Sequence, residues 1–554
     1  MKNNNYLKEQ KNKEIFIKGW IKKIRNLGKL LFFNIQGEEG EDIQVIVKEQ
    51  VIIKEIEEKL TTGDLIKIFG EVKTKKSIES NNEEEFEILL KSWELINKTI
   101  QLPFEIRDDL ELKEDNRYRY RYLDLRREKS KRILIEKNNF LHYIRNFFYK
   151  EEFIEIETPI LSQLSPEGAK SFLVPSNLKD RFYTLPQSPQ IFKQILMISG
   201  FKKYYQIAKT FRNEDARSNR QLEFLQLDVE MSFANQNYYF NLIEKMLIEF
   251  LTKHLNVEIE KIKFDILTFE QCINEYGVDK PDLRNPLKIQ EFPFKMKEIK
   301  NLEYFERGIF IEKNIDKKID EIKNILNENC NEESFIMKKN EQSMEKIFSK
   351  SKENIKEEEF LNFSNGYYII IGGEKENIIN SLSKIINLLS DLFINKKDNS
   401  KEYRFLWITD WPLFEYSKEE GKIISLRHPF TLPKQEYIKP MMSKEGFDFL
   451  SIKSEAYDLV CNGEEIASGS LRIYQRELQE KVFEILGFNK EEMERHFGYF
   501  LKALEFAAPP HGGIGMGIER MLAIFLNLKS LKETIAFPKN IDGTCSLTGT
   551  PNFL

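Results

Sequence analysis

Over the first hundred residues, apolar side chains recur at every second position in five short runs, at 15–20, 29–35, 42–47, 64–72 and 86–90. That period belongs to strands with one face turned inward. Five such strands in so short a segment predict a small barrel of the OB type. A helical period follows from Ile133 to Tyr149. Two further alternating runs lie at 204–215 and 223–230, and the polar stretch 216–222 is long enough to join them as antiparallel strands. In the second run Leu225, Leu227 and Val229 take one face, while Phe224, Gln226, Asp228 and Glu230 take the other. From 288 to 404 Lys, Glu and Asn dominate, with amphipathic stretches at 315–326 and 378–393 and a strand-like run at 367–371. Apolar patterning resumes at 405–414, and glycines at 512, 513, 515 and 517 precede the apolar run 521–526. The expected fold class is α+β.

Composition narrows the class. A chain of 554 residues is too long for one core, which predicts roughly three or four domains. Lys and Arg number 85 against 90 Asp and Glu, a net charge of -5. That balance argues against a generally basic nucleic-acid binder, so any RNA must be met by local patches. The first ten residues contain no apolar signal core, and no stretch is apolar for long enough to cross a membrane. Cys272, Cys330, Cys461 and Cys545 are scattered and form no CxxC pair, which supports neither a disulfide framework nor a zinc site. The expectation is a reduced, cytoplasmic enzyme without a membrane partner.

Candidate chemistry concentrates in Phe211-Arg-Asn-Glu-Asp-Ala-Arg-Ser-Asn-Arg-Gln-Leu-Glu-Phe-Leu-Gln-Leu-Asp-Val-Glu230, where arginine forks and an aromatic ring would converge as a nucleotide triphosphate requires. This segment resembles motif 2 of the class II aminoacyl-tRNA synthetases. Pro509-Pro-His-Gly-Gly-Ile-Gly-Met-Gly-Ile-Glu-Arg520 resembles motif 3. Its glycines would let the backbone approach a ligand, and Arg520 would offer a fixed guanidinium to phosphate. Phe153-Ile-Glu-Ile-Glu-Thr-Pro-Ile160 is similar to motif 1, whose proline, here Pro159, belongs to a dimer interface in this class. The segments 185–194, 276–286 and 457–472 resemble the bacterial branch of the aspartyl-tRNA synthetases, so the likeness covers nearly the whole chain.

That resemblance implies an anticodon-binding OB domain at 1–105, a hinge at 106–130, a class II catalytic domain on an antiparallel sheet at 131–287 and 405–554, and a bacterial α/β insertion domain at 288–404. It implies ATP-dependent activation of L-aspartate and transfer to tRNA(Asp) by a homodimer, with Mg²⁺ accompanying ATP and tRNA(Asn) left open as a second acceptor. By family position, Arg212 and Arg520 would be the catalytic cations. Glu167, Ser188, Gln190, Lys193, Arg212, Gln226, Asp228, His428 and Arg472 would bind aspartate. Arg212, Asn213, Glu214, Gln221, Phe224, Glu465, Gly517, Ile518, Glu519 and Arg520 would bind ATP, and Arg25, Phe32 and Gln44 would contact anticodon bases. Taken alone, Glu167 would be a surface acid, Phe32 a core residue, and the basic run 117–127 an amphipathic linker.

One site follows from geometry instead. Asn462-Gly463 is a strong hairpin signal. A turn there pairs Cys461 with Glu464 and Val460 with Glu465, which puts Glu465 on one face with its diagonal neighbour Asp458. Two such carboxylates suit Mg²⁺ against phosphate; otherwise they are exposed acids on a surface hairpin. The chain departs from the bacterial pattern at Arg427, where a first histidine is usual before His428, and at Leu222, Ala467 and Ser468. A synthetase for asparagine or lysine, or a non-catalytic RNA-binding paralogue, are the alternatives. Lys193 and Arg472 weigh against the former, and Arg212, Glu465 and Arg520 against the latter.

Overall fold

The computed structural model describes residues 7–38, 42–75, 85–164, 170–214, 219–292, 305–328, 333–341, 343–350, 363–394, 402–443 and 446–552. It divides into two compact units, residues 1–135 with 545–554, and residues 136–544.

In the first unit the five strands Glu14–Asn26, Leu31–Gly37, Asp42–Val47, Leu65–Thr74 and Phe86–Asn97 close into a barrel. Their inward positions, among them Ile21, Phe33, Ile35, Val45, Ile66 and Ile88, form one apolar core. A helix at Gln50–Lys59 adds Ile53 and Ile56 to it. The run 117–127 is not a solvated linker. Arg121 and Asp124 are buried, and Asp124 collects Arg117 at 3.2 Å, Arg127 at 3.2 Å and Arg121. One buried carboxylate thus orders three guanidinium groups, an arrangement in which each charge depends on its partners.

The second unit is built on an eight-stranded sheet. Its strand order is Ile262–Thr268, Tyr403–Thr409, Ala456–Cys461, Glu464–Leu471, His511–Gly517, Glu223–Ser232, Lys203–Phe211 and Ile154–Glu155. The two edge pairs are parallel and the inner ones antiparallel. One face is apolar: Leu227, Val229, Leu459, Ile514 and Met516 pack against Phe140, Phe148, Tyr239, Phe250, Met521 and Phe525 from the helices Glu128–Lys150, Gln236–Lys253 and Ile518–Phe525. Leu227 and Val229 are completely buried, each worth about 1.5–3 kcal/mol in transfer free energy. Period-2 alternation sends Gln226, Asp228 and Glu230 to the opposite face. A second layer, the helices Gln190–Ile198, Arg476–Ile485 and Lys490–Leu504, meets around Ile191, Phe483 and Phe497.

Between the strands Ile262–Thr268 and Tyr403–Thr409 the chain forms a separate antiparallel sheet of four strands, in the order Phe305–Ile311, Gly366–Gly373, Glu333–Lys339 and Met344–Ser349. The helices Ile319–Glu328 and Lys375–Phe393 cover it through Ile322, Leu382 and Ile385. No helix among the described residues is long and apolar enough to cross a membrane.

Candidate active site

The polar face of the sheet opens into a cavity of about 550 Å³. Its inner end is a buried ionic quartet. Lys193, on the helix Gln190–Ile198, reaches Asp228 Oδ1 at 2.9 Å and Glu230 Oε2 at 3.3 Å. Arg472, just past the strand Glu464–Leu471, donates to Glu230 through Nε at 3.0 Å and Nη2 at 3.3 Å, and to Ser470 Oγ at 2.7 Å. Lys193 and Arg472 are each 2% exposed, and the carboxylates not at all. Burial works against ionisation of Glu230, but Arg472 and Lys193 outweigh it and hold the carboxyl below its usual range. At Asp228 burial wins, and the carboxyl lies above its usual range in spite of Lys193. His428 Nε2 lies 2.5 Å from Arg472 Nη1. A guanidinium only donates, so this nitrogen must accept and the ring is neutral. Burial, then the charges of Arg472, Lys193 and Arg427, depress its pKa strongly.

The glycines of 512–517 have a local cause. The strand His511–Gly517 pairs with Glu223–Ser232, Gly513 opposite Glu230 and Gly517 opposite Gln226. A Cβ on Gly513 would stand 1.8 Å from Glu230 Oε2, and one on Gly515 2.5 Å from Gln226 Nε2. Glycine here makes room for the polar side chains of the neighbouring strand, in addition to any approach of the backbone to a ligand.

The outer end is shaped for a planar, anionic group. The Arg212 guanidinium carbon lies 5.2 Å from the Phe224 ring centroid, and the Arg212 N–H donates to the Leu222 carbonyl at 2.8 Å, which continues the hairpin beyond Phe211. Arg520 Nη1 donates to the Glu465 carbonyl at 2.6 Å. Glu214 is paired with Arg220 at 3.2 Å. Glu519 is an anchor: it accepts from the Leu225 N–H at 2.9 Å and from Lys137 at 2.7 Å. The Gln221 amide is held by the Lys539 backbone, from whose N–H it accepts at 2.9 Å.

The expected turn at Asn462-Gly463 is present, with Cys461 opposite Glu464 and Val460 opposite Glu465. A bulge between Leu459 and Val460 then shifts the register, so Asp458 faces Ser468. Asp458 and Glu465 still converge, but on Arg427. Its guanidinium bonds Asp458 Oδ2, lies 3.9 Å from Glu465 Oε2, and stacks 3.8 Å from the Trp411 ring centroid. Lys280 adds a second cation at 3.1 Å from Glu465. Burial pushes Asp458 up to about 7 against the pull of Arg427. As arranged, the pair is engaged by the chain's own cations, Arg427 and Lys280.

A family model described as tRNA synthetases class II (D, K and N) matches residues 113–541, and one for the OB-fold nucleic acid binding domain matches residues 15–96. An aspartate–tRNA(Asp/Asn) ligase of Dictyoglomus turgidum is 40% identical over 97% of this chain and 93% of its own length. The chain belongs to the class II aminoacyl-tRNA synthetases, in the aspartate–tRNA ligase family. An aspartate–tRNA ligase of Malacoplasma penetrans is 38% identical over 98% of this chain and 94% of its own. The fold is shared with an asparaginyl-tRNA synthetase from Pyrococcus horikoshii, at 16% identity and a TM-score of 0.59 over 96% of this chain and 95% of that one.

In this synthetase the cavity brings together Ser188, Gln190, Lys193, Arg212, Glu214, Gln221, Phe224, Gln226, Asp228, His428, Glu465, Arg472, Gly517, Glu519 and Arg520. Asn213, Ile518 and Asp458 are not on its wall, and Glu167 lies outside the described residues. Gln190 Nε2 is buried without a hydrogen-bond acceptor among the described residues, a donor left for a ligand. Three residues with structural weight were not singled out from sequence. Glu230 had a signal, because it shares the face of Asp228 two residues on. Arg427 was visible only as a departure, and Lys280 carried no local sign.

On the barrel, Arg25 is paired with Phe32, and Gln44 with Asn34, two residues further along the same strand face. Phe33 and Ile35 point into the core, while Phe32 is half-buried and Arg25 exposed. The three side chains therefore share the outer face. Lys22 is tied to Asp42 at 3.0 Å.

Proposed function

We propose that this synthetase activates L-aspartate with ATP and passes the aspartyl group to tRNA(Asp), with tRNA(Asn) as a second acceptor. The observation that carries the choice of amino acid is the buried quartet at the cavity's inner end. Lys193 and Arg472 only donate hydrogen bonds. A side-chain carboxylate satisfies them, whereas the amide nitrogen of asparagine would turn donors on donors and leave buried groups unpaired. Asp228, Gln226 and Gln190 would bind the remaining polar groups of the amino acid. Phe224 would stack on adenine, with Arg212 bridging the α-phosphate and the substrate carboxylate.

An oxygen of the α-carboxylate would attack the α-phosphorus, and the bond to the bridging oxygen would break to release pyrophosphate. Arg212 would meet charge developing on the α-phosphate and Arg520 charge on the departing group, both lining the cavity before the reaction begins. The terminal ribose hydroxyl of the tRNA would then take the acyl group and release AMP. Mg²⁺ would enter as the counter-ion of ATP, and no step is assigned to it.

The outer face of Arg25, Phe32 and Gln44 would read the anticodon by stacking and hydrogen bonding. Residues 1–105 would be the tRNA-selecting domain, 106–130 the hinge, 131–287 and 405–554 the catalytic domain, and 288–404 the insertion. A homodimer is supported by exposed Ile154, Ile160, Leu161, Leu173 and Phe182, in and after the motif-1-like segment, since grouped exposed apolar side chains mark interaction surfaces. The cytoplasm would be its compartment. The Asp/Asn acceptor pair in the name of the Dictyoglomus relative supports the tRNA(Asn) reading. Charging of purified tRNA(Asp) and tRNA(Asn) with aspartate tests it: both should be charged, and failure with tRNA(Asp) would overturn the proposal.

A further inference from the structure

The Asp458–Glu465 pair has the donor chemistry of a magnesium site, yet two cations of the chain already serve it. Arg427 bonds Asp458 Oδ2 and lies 3.9 Å from Glu465 Oε2, and Lys280 lies 3.1 Å from the same Glu465 oxygen. The guanidinium is fixed from behind by Trp411, itself buried, at 3.8 Å to the ring centroid. Lys280 is shared with Asp279 at 2.9 Å, so Arg427 is the cation that lies between both carboxylates of the pair. A divalent ion entering between the carboxylates would have to expel the guanidinium or sit beside it, and like charges at such distances repel strongly in a partly buried site.

We propose that Arg427 is the resident counter-cation of the Asp458–Glu465 pair and excludes divalent metal from it in the nucleotide-free protein. The guanidinium then presents a fixed positive charge to the cavity, which Arg427 and Glu465 both line. A neutral residue at 427 would leave the pair short of positive charge and open to a hard cation. The proposal rests on the reading of the cavity as an ATP site only for its consequence in the reaction. Metal exclusion itself is a property of the free protein.

The test is Mn²⁺ binding to the full-length, nucleotide-free protein, read as loss of the free-ion EPR signal. The variants are Arg427→Met, whose stem still covers Trp411, Arg427→Lys, which keeps the charge, and Glu465→Gln alone and combined with Arg427→Met. Wild type and Arg427→Lys should bind Mn²⁺ no better than Glu465→Gln. Arg427→Met should gain one site per chain, tighter by at least about tenfold, and the second substitution should abolish it. A wild-type site that Glu465→Gln removes would overturn the proposal, and so would the absence of any gain in Arg427→Met. Should Arg427→Met fail to fold, as judged by circular dichroism, the comparison of wild type with Glu465→Gln still decides it. ATP–pyrophosphate exchange by the wild type reports separately on the synthetase reading, so either idea can fail alone.

Discussion

Replacing Arg472 with leucine should separate the two roles that the structure gives this guanidinium. It is 2% exposed and donates twice to Glu230, which is not exposed at all. Removing it leaves Glu230 dependent on Lys193, which Asp228 shares, and breaking a buried pair typically costs about 3–5 kcal/mol. The same change removes a charge-assisted donor to the aspartate side chain, worth about 2–5 kcal/mol with a buried charged partner. Arg472→Leu alone would therefore lose both stability and activity, and neither loss would be diagnostic. Combining it with Glu230→Gln neutralises that acid. The double variant should recover most of the melting temperature while aspartate-dependent pyrophosphate exchange remains down by roughly 30-fold or more at about 1.36 kcal/mol per decade. Thermal melting and exchange kinetics on the four proteins of the cycle give both numbers. If Glu230→Gln restored neither stability nor folding cooperativity, the quartet would not be the electrostatic unit described. If the double variant bound aspartate like wild type, Arg472 would not be a substrate contact.

Other outcomes follow from the same contacts. Gly513→Ala should destabilise the sheet by about 1–3 kcal/mol, the usual range for overpacking, because its Cβ would fall 1.8 Å from Glu230 Oε2; an unchanged melting temperature would contradict the packing account. Phe32→Ala should leave pyrophosphate exchange intact and reduce charging by about tenfold to a hundredfold, the loss of one stacked base at roughly 1–3 kcal/mol. Arg212→Ala should do the reverse, reducing exchange by about 10²–10³ or more with tRNA binding kept. His428 has a folded pKa well below its ordinary value, so the unfolded chain takes up a proton that the native site refuses. Its contribution is constant above about pH 6.5, and stability falls as the pH drops below that, by up to about 1.4 kcal/mol per pH unit. Melting of wild type and His428→Gln across that range should show a shallower slope in the variant.

The strand pair at the centre of the site was legible because a period of two is set by the pleat alone: the polar faces of residues 223–230 and the apolar faces packed behind them follow from alternation. The barrel was legible for the same reason, and its outward Phe32 follows from the inward Phe33 and Ile35. The helix Gln50–Lys59 escaped notice, although Ile53, Ile56 and Leu60 follow a helical period. What sequence could not reveal depends on register or on tertiary partners. The bulge after Leu459 leaves no mark in composition, and it moves Asp458 opposite Ser468. The grip of Arg427 on Asp458 joins residues 31 apart, with the guanidinium stacked on Trp411 from a third segment. The small size required at 513 and 515 reflects the side chains of another strand, not the turn chemistry usually read from glycine.

The central claim, that this cavity activates aspartate, is tested most directly by mass spectrometry of the adenylate formed when the purified protein receives ATP and an equimolar mixture of all the amino acids. The account predicts aspartyl-adenylate as the dominant product, lost in Arg212→Ala. Asparaginyl- or lysyl-adenylate as the main product, or no adenylate from a folded protein, would contradict it.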